Sequence, residues 1–262
     1  MPIIRADKKP LFEWVVSRGL IRPALRRMFR AVRLAIDRPA RAALCGTPPA
    51  RREPLIWISP HPSWWDGYLG WLVNDRLGRR DGYLMMDAEF LPRYRFFTWA
   101  GVFGVDRKDP RAALESIEYI AGLLSEAPNR ALWMFPQGTI TPPDRRPLHL
   151  YGGTAHILRR LRAATVVPVV WRPVFGDQQH PEVFIRVGTP LHYTGPAVPR
   201  GPAVTEQLTA ALTAEDDRLR QDLAGADPGG YRSLLRGPAS INERWDGLRG
   251  QARALLRRGG RG

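Results

Sequence analysis

Cysteine occurs only once in the 262 residues, at Cys45. No intrachain disulfide can form and no cysteine-based metal site can be built, so a reducing compartment is the simpler setting. Lysine is scarce too: only Lys8, Lys9 and Lys108 among forty basic residues. No apolar run approaches the roughly 18 residues that a transmembrane helix needs. Glu13 and Arg18 interrupt the apolar N-terminal stretch, which argues against a signal peptide. His149, His156, His180 and His192 do not stand at metal-ligand spacings and read as structural or surface residues. No metal or redox cofactor is expected. Hydrophobic residues at 44% and charged residues at 25% are ordinary for a folded domain and exclude global disorder and collagen-like repeats.

The net charge of +15 is unevenly placed. Residues 1–54 carry 13 Lys/Arg against 4 Asp/Glu, residues 232–262 carry 8 against 2, and the middle is balanced. Genome composition explains Arg over Lys, but not this asymmetry. Wound as a helix, 21–37 places Ile21, Ala24, Leu25, Met28, Val32, Ala35 and Ile36 on one arc, with Phe29 at its edge. Arg22, Arg26, Arg27, Arg30 and Arg33 fall on the opposite arc. Upstream, Trp14 suits a lipid headgroup layer. A basic amphipathic helix of this kind reads as an interfacial membrane element, each Arg adding about 1 kcal/mol at an anionic leaflet. An ordinary domain helix with a solvated Arg face fits the same pattern, and a nucleic-acid arm fits it less well.

The rest of the chain alternates strands with helices. Apolar runs at 55–58, 82–86, 102–105, 131–135, 166–170 and 183–187 read as strands. Helices are expected over 67–78, from Asp109-Pro110 onward, near 153–161 and over 203–223. Such alternation argues for an α/β fold: a largely parallel or mixed sheet with helices on both faces. The expected organisation is a basic membrane-binding segment and linker over 1–53, a single catalytic domain over 54–224, and a basic Arg/Gly-rich tail over 225–262. Within that tail, Leu248, Ala252, Leu255 and Leu256 suit one short basic helix, and disorder fits equally.

Three segments stand at strand ends, where open α/β sheets bind ligands, and a fourth lies in a core strand. His61 and Asp66 lie in Ser59-Pro60-His61-Pro62-Ser63-Trp64-Trp65-Asp66. There a carboxylate can hold one imidazole nitrogen and leave the other free as a base. A His at a helix cap and an Asp in the first turn would look the same. Gly101-Val102-Phe103-Gly104-Val105-Asp106-Arg107 ends in an acidic–basic pair. Phe135-Pro136-Gln137-Gly138-Thr139 lets a backbone approach a ligand at its glycine. In Val167-Pro168-Val169 the proline suggests an edge or a strand start.

This ordered set resembles the glycerolipid acyltransferase family, whose best-known members acylate 1-acylglycerol-3-phosphate. The family's H-x-x-x-x-D, G-x-x-x-x-D-R, F-P-E-G-T and V-P-V elements match positions 61–66, 101–107, 135–139 and 167–169, and the resemblance covers roughly 54–192. It implies an O-acyltransferase with acyl-CoA or acyl carrier protein as donor and a lipid hydroxyl as acceptor. His61 would be the general base and Asp66 would orient it. Arg107 would bind the acceptor phosphate. Ser63, Phe135, Pro136, Gln137, Gly138 and Thr139 would belong to the substrate site. A monotopic or peripheral enzyme on the cytoplasmic face of an anionic membrane follows, with no nucleic-acid partner.

The departures matter. Gln137 replaces the usual Glu, Ile140 replaces an Arg, Asp87 stands where a Lys is expected, and Tyr151-Gly152 replaces a basic pair. The pocket thereby loses groups that would pair with phosphate. A less charged acceptor is one expectation, and a non-catalytic lipid-binding protein of the same fold is the alternative.

Overall fold

The computed structural model describes residues 3–45, 53–225, 229–241, 245 and 249. A helical stretch opens the fold: α1 (Pro10–Val15), a π-helical segment (Val16–Ile21) and α2 (Arg22–Met28). Then follow β1 (Ala31–Ile36), α3 (Arg38–Cys45), β2 (Leu55–Ile58), α4 (Asp66–Val73), a second π-helical segment (Asn74–Gly78) and β3 (Asp81–Asp87). A 3-10 stretch (Leu91–Ala100), β4 (Val102–Val105), α5 (Pro110–Glu126), β5 (Arg130–Met134) and α6 (Gly153–Leu158) continue the chain. It closes with β6 (Ala163–Val174), β7 (Glu182–Val187), β8 (Leu191–Thr194), α7 (Gly201–Ala224) and β9 (Arg232–Arg236).

The strands form one mixed sheet in the order β4-β3-β5-β2-β6-β7-β1-β9, with β8 paired to the first half of β6. Strands β4, β3, β5, β2 and β6 run parallel, and β7 turns antiparallel to the second half of β6. Period-2 alternation divides each central strand between two cores. Leu55, Trp57, Ala131 and Trp133 face Leu25, Leu69 and Leu72 on one side. Ile56, Ile58, Leu132 and Met134 face Ile120, Leu124, Ile157 and Leu212 on the other. Helices therefore cover both faces, and each fully buried large side chain contributes about 1.5–3 kcal/mol. Asp109 caps α5 as expected, its carboxylate accepting from Arg111 N at 2.9 Å.

The expected helix over 21–37 is corrected. The chain leaves the helix at Phe29 (φ −114°, ψ 136°) and continues as β1, parallel to β7 and antiparallel to β9. Val32 and Ile36 lie on the helical arc but Leu34 falls among its arginines, whereas all three fit a period of two, and β7 supplies the partner. Three of the five arginines on the supposed basic face are paired within the fold. Arg33 forms a bidentate pair with Glu182 at 2.6 and 3.1 Å, and Arg30 reaches the same carboxylate at 2.6 Å. Arg22 donates to Asp75 at 2.9 Å. Phe29 is buried edge-on against Trp65, with centroids 5.6 Å apart. These four are structural here, whereas Trp14 and Arg26 are exposed.

The boundaries at 53/54 and 224/225 also move, because β1 and β9 belong to the same sheet as the motif-bearing strands. Pro168 is not at an edge or a strand start but inside β6. Its missing N–H falls where the second neighbour of β6 changes from β8 to β7. The expected helix around Leu248–Leu256 lies outside the described residues.

Candidate active site

The parallel strands deliver their C-terminal ends to one edge. His61 follows β2, Asp87 ends β3, Arg107 follows β4 and Phe135 follows β5. A cleft of about 1840 Å³ opens there, lined by His61, Asp87, Arg107, Phe135, Pro136, Gly138, Thr139 and Tyr151, and it extends to Trp57, Trp71, Leu84 and Trp133.

His61 Nδ1 lies 2.7 Å from Asp66 Oδ2. Asp66, the first residue of α4, is fully buried. Its carboxylate also accepts from Ser63 N at 2.8 Å, Ser63 Oγ at 2.6 Å and Trp171 Nε1 at 2.8 Å. A buried carboxylate needs such donors to remain charged. The imidazole stacks on Phe135, 4.4 Å between centroids and 18° between planes. His61 N donates to Gln137 Oε1 at 2.9 Å, and His61 O accepts from Thr141 N at 2.8 Å. The ring is held from both its backbone and its side chain.

Behind Asp66 three indoles stack across the sheet. Trp57 and Trp133 are 5.4 Å apart between centroids, and Trp133 and Trp171 are 5.9 Å apart. Aromatic pairs at such separations add about 0.5–1.5 kcal/mol beyond burial. This column fixes the position from which Trp171 reaches Asp66.

Most of the residues expected in the substrate site gather here, but two have other work. Ser63 is turned to Asp66. Gln137 is buried and holds the His61 backbone instead of lining the cleft. That bond needs only an oxygen acceptor, which both Gln and Glu supply. Gly138 has φ +68°, a backbone that favours glycine, and a Cβ there would stand 2.5 Å from Arg107 Nη1. Arg107 Nη2 donates to Asp87 Oδ2 at 3.0 Å, and its guanidinium lies over the Tyr151 ring at 5.7 Å. Burial alone would push the Asp87 carboxyl up. The Glu89 backbone N–H and Arg107 outweigh it and hold the carboxyl below its ordinary value. Sequence reasoning missed Trp171, which stands 105 residues from its partner with no local signal to link them. His156, read as structural or surface, lines the cleft.

The sequence model of the family described as Acyltransferase matches residues 42–172 of this chain. A 1-acyl-sn-glycerol-3-phosphate acyltransferase of Streptococcus pneumoniae is 27% identical over 128 residues, 47% of this chain and 43% of that protein. The match thus spans less than half of that relative. The crystal structure of the 1-acyl-sn-glycerophosphate (LPA) acyltransferase PlsC from Thermotoga maritima superposes with a TM-score of 0.52. It is 13% identical, with 80% of this chain and 78% of that one covered, a likeness of fold. With half of its length matched, and with the His61, Arg107 and Phe135–Thr139 segments meeting in one cleft, the chain belongs to the glycerolipid acyltransferase family.

Proposed function

We propose that this protein is an O-acyltransferase that moves a fatty acyl group from a thioester, on coenzyme A or acyl carrier protein, to a lipid hydroxyl. The observation that carries the reading is the 2.7 Å contact between His61 Nδ1 and the buried carboxylate of Asp66. With Nδ1–H donated to Asp66, Nε2 is the basic nitrogen. It takes the proton of the acceptor hydroxyl as the oxygen attacks the thioester carbonyl. The C–S bond breaks, the thiolate leaves, and the imidazolium returns the proton to it. Asp66 stabilises the imidazolium between these steps. Phe135 packs against the ring, while Pro136 and Thr139 form the wall beside it.

The protein works, on this reading, at the cytoplasmic face of an anionic membrane. Among the described residues no helix is long and apolar enough to cross a bilayer. Leu11 (77% exposed), Trp14 (56%), Val15 and Leu20 instead present an apolar face along the first helical stretch. Trp14, Arg18 and Leu20 also line the mouth of the His61 cleft. A lipid acceptor can enter from a surface on which that face rests.

The test is acyl transfer from labelled palmitoyl-CoA, and separately from acyl carrier protein, to a total lipid extract. His61→Ala should lower the rate by roughly 10²–10⁴. Equal transfer by both proteins, or none with either donor, would overturn the reading.

A further inference from the structure

A phosphate-binding site needs unspent positive charge, and Arg107, at the end of β4 in the His61 cleft, is already engaged. Arg107 donates to Asp87 at 3.0 Å within the cleft that His61 lines. The two side chains are partly exposed, 33% and 25%, so both face an incoming ligand. A phosphomonoester carries about −1.5 to −2 at neutral pH. Brought to Arg107, it would sit one hydrogen bond from a carboxylate, and like charges at that range oppose binding. Ile140 and Tyr151 line the same cleft with uncharged side chains.

What the pair offers instead suits hydroxyl groups. A carboxylate accepts from them and a guanidinium donates to them, side by side. Tyr151, 62% exposed and in contact with Arg107, adds an aromatic face whose electron-rich centre favours the C–H faces of a ring. From this juxtaposition of Asp87, Arg107 and Tyr151 we infer that the acceptor carries its reactive hydroxyl on a neutral polyol head group, a sugar or glycerol, and not on a phosphomonoester. The inference rests on the acyl-transfer reading above. Arg18, Arg79 and Arg93 also line the cleft, Arg93 lying over the Tyr94 ring at 5.6 Å. A phosphate held there is the outcome the experiment must tell apart.

The full chain is supplied with palmitoyl-CoA and three competing acceptors of one chain length: 1-acylglycerol-3-phosphate, 1-monoacylglycerol and an alkyl glucoside. Thiol release and product mass are followed, with His61→Ala as the control. A neutral acceptor should exceed the phosphate by about tenfold or more in kcat/KM. Asp87→Lys should swing that ratio toward the phosphate by about tenfold or more, and Asp87→Asn, close in shape, should move it the same way by less. A phosphate acceptor that matches or beats both neutral ones overturns the inference and leaves acyl transfer standing. An unchanged ratio in both Asp87 variants also overturns it. No His61-dependent transfer to any acceptor overturns the inference together with the reading beneath it.

Discussion

The indole N–H of Trp171 donates to Asp66 Oδ1 at 2.8 Å, tying the middle of β6 to the first residue of α4. The bond is buried at both ends, and the carboxylate it steadies is the one that holds His61. A hydrogen bond to a charged group contributes about 1.5–3 kcal/mol. Trp171→Phe keeps the ring in the aromatic column and removes the donor. If the bond orients Asp66 for catalysis, kcat should fall about tenfold while KM for the acyl donor stays within about twofold. A rise in KM at constant kcat would contradict this positioning role.

Gln137 supplies the acceptor for His61 N at 2.9 Å from a buried position. Gln137→Glu retains that oxygen, so activity should stay within about fivefold of the parent. Gln137→Leu leaves a backbone N–H unsatisfied, a loss of about 1–3 kcal/mol. The rate with saturating substrates should then drop about tenfold or more. Leu and Glu variants of equal activity would show that the contact does not position His61.

At Gly138 the backbone conformation disfavours a side chain, and a Cβ would displace the end of Arg107. The φ of +68° is strained for any L residue, and a methyl group there would stand only 2.5 Å from Arg107 Nη1. Gly138→Ala should lower stability by roughly 1–2 kcal/mol. Thermal unfolding reads the change as a fall of about 2–8 °C. Acyl transfer should fall with it, since Arg107 must move. An unshifted melting curve would refute the strain.

Membrane affinity and fold stability separate along the N-terminal segment. Arg33 is committed to Glu182 by two hydrogen bonds, while Leu11 and Trp14 are exposed. Arg33→Ala should cost about 1 kcal/mol, a melting shift of about 2–4 °C, with flotation on anionic vesicles unchanged. The double variant Leu11→Ser, Trp14→Ser should melt like the parent and float at least about tenfold less. The reverse pattern would restore the basic arc as the membrane contact.

The central sheet was legible because its signals are local. Leu55–Ile58 and Ala131–Met134 are apolar runs bounded by breakers, and the loops after them carry His61 and Phe135. The spacing of His61 and Asp66, followed by the order of the other motifs, was enough to indicate the family and the strand ends at which the cleft opens. The strand at Ala31–Ile36 was not legible. Val32, Ala35 and Ile36 also fit a helical arc, and the choice lies with β7 and with Glu182, about 150 residues further on.

The same holds for the site's finer parts. Nothing near Trp171 in the sequence points to Asp66, and nothing near Gln137 tells a backbone anchor from a substrate contact. Asp87 and Arg107 stand 20 residues apart, and only the parallel register of β3 and β4 brings their ends together. Periodicity and motif spacing report what a segment prefers alone. Which charge is spent on which partner depends on distances between segments, and those exist only once the chain has folded.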